Sequence, residues 1–163
     1  MRRIVQLLKM VAKAQKDCRG LLISVLVAEC YRPDKSRDDV ALYNTIAAIH
    51  NRLQWNTAVY NPVLPGIELT YKDKYKYQVE RFRDKLGEIL EWLKPLFDVN
   101  CDELAALQAW NKVFIHDYWS DLCDAIELRR KSIFVSSTGA ITSQQPTVQA
   151  VQSPSHRFFG DEK

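Results

Sequence analysis

Two side chains near the start of the chain have the chemistry to hold a phosphate. Lys9 carries an ammonium on a long stem, and Ser24 places a hydroxyl inside an apolar run. A lysine meets a phosphate as a point charge, and a serine can donate a second hydrogen bond. Such a pair positions a nucleotide without carrying out its chemistry. On residue type alone each has a plainer reading, Lys9 as a solvated lysine and Ser24 as a hydroxyl bonded back to its own helix. The groups that would perform two-metal nucleotide transfer are missing. That reaction needs clustered carboxylates, usually Asp-x-Asp on a strand, beside a Gly-Ser loop, and the chain contains neither. Asp38-Asp39 falls where a helix begins, and Asp121 and Asp124 are spaced for one solvated helix face. The five glycines form no glycine-rich loop to cradle phosphates. No catalytic residue and no metal ligand is therefore assigned.

Cys18, Cys30, Cys101 and Cys123 are far apart and contain no C-x-x-C pair. With His50, His116 and His156 away from ligand spacing, they read as free thiols rather than a zinc site. A chain of 163 residues, 47% apolar and 26% charged, has room for one globular domain. Its net charge of +3 permits an anionic ligand without demanding one. No apolar run reaches the roughly 18–20 residues of a membrane span. Met1-Arg2-Arg3 is not followed by a signal-peptide h-region, so a cytoplasmic location is expected.

The elements that must position Lys9 and Ser24 are helices. Ile4, Val5, Leu8, Val11 and Ala12 mark a first helix from Arg2 to about Lys16. Leu21 to Tyr31 is almost wholly apolar and reads as a buried central helix that ends before Pro33. Ser36 is placed to cap a third helix, with Asp38 and Asp39 in its first turn. Thr70 is placed to cap the longest helix, about Tyr71 to Phe97, closed by Pro95. Asn100 and Glu103 have capping-box spacing before a fifth helix. A last helix is expected from about Tyr118 to Lys131. Between the third and fourth helices lies a proline-punctuated strap, Asn61-Pro62-Val63-Leu64-Pro65-Gly66-Ile67-Glu68-Leu69. Two prolines and a glycine hold one path at low entropic cost, so the strap looks built to lie across something. The predicted fold class is all-α, five to six helices over residues 1–131 around the buried helix. Residues 132–163 are rich in Ser, Thr, Gln and Pro and are expected to be a disordered tail.

Four stretches in this order, R-I-V-Q-L-L-K from Arg3, the apolar L-L-I-S-V-L-V-A-E-C-Y, the strap N-P-V-L-P-G-I-E-L-T and Q-V-E-R-F-R-D-K-L, resemble the C-terminal helical half of bacterial CD-NTases. These SMODS-type nucleotidyltransferases are related to the animal cyclic GMP–AMP and oligoadenylate synthases. The resemblance covers about Arg2 to Leu122. It implies a transferase that makes cyclic oligonucleotide messengers in antiviral (antiphage) defence. In that family a sheet-bearing half holds the Gly-Ser loop and the acids that bind magnesium, and the helical half closes the nucleotide cleft. The family's lysine in the L-L-K helix and serine in the next helix contact the donor triphosphate, and they match Lys9 and Ser24. The family's first helical-half element stands at the start of this sequence. What is expected is thus a nucleotide-lid portion, a fragment inactive alone, with no cofactor of its own and magnesium supplied to the full enzyme. Its partners would be a nucleoside triphosphate, once a catalytic half completes the site, and a protein reached through the C-terminal tail. In some family members a ubiquitin-like ligase attaches that tail to other proteins. The rival reading is a free-standing helical protein-interaction module. Nucleic-acid binding is disfavoured because acidic neighbours balance the basic side chains.

Overall fold

The helical periodicities become six α-helices in the computed structural model. It describes residues 1–15 and 18–130, together with the backbone of Phe134–Val135 and Ile141–Thr142. The chain divides into two units, Met1–Cys123 and Asp124–Lys163. The first contains α1 (Arg2–Ala14), α2 (Gly20–Cys30), α3 (Asp38–Trp55), α4 (Asp73–Leu93), a 3-10 turn (Lys94–Phe97) and α5 (Glu103–Phe114). Helix α6 (Asp117–Arg130) begins in the first unit and continues into the second. The described residues are all-α in character. Their strand pairing is limited to two-residue partners, Phe134–Val135 against Ile141–Thr142 in the second unit, and one bridge, Tyr60 to Glu68, in the first. The rest of the expected disordered tail, including the aromatic cluster at 154–160, lies outside the described residues.

One apolar cluster holds the first unit together. Ile4, Leu8 and Val11 from α1 meet Leu22, Ile23, Leu26 and Val27 from α2, with Leu42, Ile46, Ile49 and Leu53 from α3. Val79, Phe82, Leu86, Ile89 and Leu93 of α4 close the cluster, their steps of three and four matching one helical stripe. The most extensive pairing is α3 on α4, while α2 packs on α1 and α3. Helix α2 supplies six core side chains, as its apolar run predicts. Along its other side Leu21 is 63% exposed, Ala28 is exposed and Ser24 is half-buried. Residues 21, 24 and 28 share one stripe, so a helix with apolar residues on nearly every side leaves a line uncovered.

Three of the expected caps are placed differently. Helix α3 starts at Asp38 after Arg37 rather than at Ser36. The loop carboxylate of Asp34 takes the Ser36 and Arg37 amides at 2.9 and 2.8 Å. Those two backbone bonds hold the Asp34 carboxyl below its usual range. Thr70 is not a cap either. It is fully buried, and α4 begins at Asp73. For α5 the cap is Asp102, whose Oδ1 accepts from the Ala105 amide at 2.7 Å, not Asn100. Helices α3 and α4 thus start after Arg37 and Lys72 with no side-chain cap, and of the three only α5 has one. Pro95 does end α4, in the 3-10 turn Lys94–Phe97.

The closeness of α3 and α4 shows at Gly87, where an added Cβ would stand 3.2 Å from Nε2 of His50. A glycine inside a helix ordinarily costs about 0.5–1 kcal/mol relative to alanine. Gly87→Ala is expected to forfeit most of that gain in the native background. In a His50→Ala background the gain should return, a coupling of about 0.5 kcal/mol or more in a urea double-mutant cycle. Simple additivity would show that the helices do not touch there.

Candidate functional site

Lys9 projects from the solvent side of α1, beyond the stripe that buries Leu8 and Val11. Its stem crosses the first residue of α2: Cε is 3.5 Å and Cδ 3.9 Å from where a Gly20 Cβ would stand. The aliphatic stem thus lies within ordinary van der Waals range of that position. Ser24 lies one turn further along α2, and its Oγ donates to the Gly20 carbonyl at 2.9 Å. Lys9 and Ser24 are thus both brought to Gly20, one over the side where a Cβ would stand and one on its carbonyl. The serine proton is engaged within its own helix, which is the plainer of its two sequence readings.

Residue type and spacing did not reveal the character of the helix end itself. Helix α2 has no side-chain cap and no acidic residue in its first turn. Its capping position is Arg19, with the Ile23 amide bonded back to the Arg19 carbonyl at 3.2 Å. The earlier amides of a helix lack intrahelical acceptors and form the positive end of its dipole. Here two cations flank that end, Lys9 and Arg19, and the Arg19 guanidinium stands 4.6 Å over the Tyr75 ring. A cavity of about 340 Å³ opens between Arg19, Gly20, Leu21, Leu22 and Leu69. Leu69 is the last residue of the strap, so the strap's base forms one wall of it. Lys16 and Asp17, just before this end, are outside the described residues.

The strap is a self-bonded hairpin. The Asn61 amide donates to the Ile67 carbonyl at 2.9 Å, and the Leu69 amide donates to the Val59 carbonyl at 2.7 Å. Asn61 Oδ1 accepts from the Val63 amide at 2.9 Å, turning the chain in a local Asx arrangement. Val63, Leu64 and Ile67 are exposed at its tip. The two prolines and the glycine thus fall in the exposed loop of this hairpin. At its foot Arg52 donates to Glu29 of α2 and to the carbonyls of Asn56 and Ala58, anchoring the segment that leads into the hairpin.

No group of three or more His, Cys, Asp or Glu side chains suited to a metal occurs among the described residues. None of the four cysteines is in a disulfide, and burial pushes the Cys30 thiol above its ordinary range. None of the described helices is long and apolar enough to cross a membrane. Compared with known protein families and with curated proteins, the chain matches none. Among the described residues, the end of α2 is uncapped, Lys9 and Arg19 stand beside it, and no carboxylate lines its cavity.

Proposed function

We propose that the first unit is the nucleotide-facing helical half of a CD-NTase-like nucleotidyltransferase, gripping the triphosphate of a donor nucleotide and leaving catalysis to a separate acid-bearing half. The observation that carries this reading is the Gly20 end of α2, uncapped, flanked by Lys9 and Arg19, and continuous with the open Leu21–Ser24–Ala28 stripe. A triphosphate supplies the negative charge that this helix end lacks. A partner surface packed along the stripe supplies the cover that an apolar helix lacks. The four ordered sequence stretches say which partner it is: a sheet-bearing half with the metal-binding acids. In this arrangement Lys9 is the charge on the phosphates. Ser24 joins only when its hydroxyl rotates away from the Gly20 carbonyl. The product is a cyclic oligonucleotide messenger of antiphage defence.

The test is amide-shift mapping of the full chain by NMR with ATP. Half a site should bind weakly, with a Kd of about 1 mM, or about 4 kcal/mol. The expected shifts fall on Gly20, Leu21 and Leu22 and vanish in Lys9→Ala. Shifts elsewhere, or shifts indifferent to Lys9→Ala, would overturn the reading. A second reading, a helical protein-interaction module, is favoured by one observation: the rigid strap hairpin displays Val63, Leu64 and Ile67 to solvent. It would be supported if Leu64→Asp abolished capture of a protein partner while ATP left the amides unmoved.

A further inference from the structure

Away from Gly20, at the corner where α5 turns into α6, the first unit holds a cavity of about 560 Å³. Its walls are Met10 and Lys13 from the last turns of α1, with Phe114, His116, Tyr118 and Trp119 from the corner. We propose that this cleft binds a flat aromatic molecule carrying one negative charge. The proposal stands independently of the nucleotide reading.

The shape argues for a flat ligand. The Phe114 and Trp119 rings of the cleft lie with centroids 6.1 Å apart and planes 18° apart, and Trp110, outside the lining, packs against both at 5.8 and 6.2 Å. Tyr118 meets Trp119 edge-on at 5.1 Å. Near-parallel rings beside a cleft suit a flat aromatic guest, because offset stacking is a preferred aromatic geometry. The volume falls within the range of small-molecule sites.

The electrostatics argue for the charge. Lys13 is exposed at the rim, and no carboxylate lines the cleft among the described residues. His116 adds a donor in a fixed direction. Its Nδ1 accepts from the Tyr118 amide at 3.1 Å, so a neutral ring carries its proton on Nε2. Through that bond His116 caps the start of α6, which also holds the ring in place. The corner is held in an unusual backbone form. Ile115 ends α5 at φ 47° and ψ 62°, a left-handed conformation that β-branched residues rarely adopt. Gln15 fixes the same corner from α1 by donating to the carbonyls of Lys112 and Val113 at 3.0 and 3.1 Å. Strain that its surroundings hold in place is a feature of built sites. Lys13 supplies charge, His116 supplies direction, and the rings supply area.

The experiment uses the full chain and two fluorescent probes of similar ring content, 8-anilinonaphthalene-1-sulfonate and the uncharged N-phenyl-1-naphthylamine. One sulfonate probe per chain is expected. Lys13→Met should weaken it about 5–10-fold, near 1.4 kcal/mol per factor of ten, and leave the neutral probe within about twofold. Trp119→Leu should weaken both by about tenfold or more. Should that variant fail to fold, Met10→Glu, at a half-exposed rim position, decides instead: it should expel the sulfonate and spare the neutral probe. The charge control Lys76→Ala should change neither. Several probes per chain, equal weakening of both probes by Lys13→Met, or indifference to Met10→Glu would overturn the proposal. So would loss of the site on self-association at raised protein concentration, which would give the cleft to a second copy.

Discussion

Leu26→Ala is expected to lower the unfolding free energy by about 2–5 kcal/mol, while Leu21→Ala, five positions earlier in the same helix, should change it by under about 0.5 kcal/mol. The chemical change is identical. The surroundings are not: Leu26 is 0% exposed at the centre of the α1–α2–α3 contact, and Leu21 is 63% exposed. Removing Leu26 forfeits transfer free energy and leaves a cavity that packed neighbours fill only in part. Removing Leu21 takes apolar atoms out of water and creates no cavity. Urea unfolding of the two variants at matched concentration measures the contrast directly. A Leu21→Ala loss of 2 kcal/mol or so would mean that the stripe is covered in solution. A repeat at tenfold lower protein concentration would then show whether a second copy is the cover. The contrast bears on function because the same stripe is the surface on which a catalytic half would pack.

How much of this was legible in the sequence depends on which force set each feature. Hydrophobic spacing follows from burial, and burial is the dominant driving force of folding, so the helices could be read. The Val79, Phe82, Leu86 and Leu93 stripe of α4 is buried as its spacing implies. The caps differ from expectation because a cap is worth only about 1 kcal/mol. Thr70 is engaged by Val59 and Glu68, α3 and α4 begin without a side-chain cap, and Asp102 takes the place of Asn100. The hairpin of the strap was hidden for a related reason. Asn61 and the two prolines announce a turn, but no periodicity shows that residues 59 and 69 will meet. The uncovered stripe was invisible because Leu21 and Leu26 look alike in an apolar run; only the absence of a packed neighbour separates them. Lys9 was legible as a charge near Ser24, yet the uncapped end of α2 emerges only when the Lys9 stem is seen against Gly20. The cleft at the α5–α6 corner was less legible still. Trp110 and Phe114 are four apart and can be paired in a helix. Trp119 joins their stack only through the left-handed turn at Ile115, a residue type that gives no warning of it.

The hairpin base yields the second large effect, and it turns on a single hydroxyl. Thr70→Val should destabilise the first unit by about 1–3 kcal/mol, although valine matches threonine in shape. The Thr70 hydroxyl has two partners. It accepts from the Val59 amide at 3.1 Å and donates to Glu68 at 2.6 Å. Val59 and Thr70 are both fully buried, so water does not replace the lost acceptor on the Val59 amide. An amide left unpaired in an apolar setting bears its full desolvation cost, which exceeds the net contribution of the bond itself. Glu68 is half-buried and recovers hydration, so its share of the loss is small. Thr70→Ser separates the two contributions: it keeps the hydroxyl and removes one methyl, for about 1 kcal/mol. Hydrogen exchange provides the local readout, because Val59 should lose protection in Thr70→Val more than amides in the middle of α3. A valine variant as stable as the native chain, with Val59 still protected, would show that the Thr70 hydroxyl does not fasten the hairpin. The hairpin, and with it the Leu69 wall of the cavity, would then be held by the Asn61–Ile67 and Leu69–Val59 backbone bonds and by the Arg52 contacts.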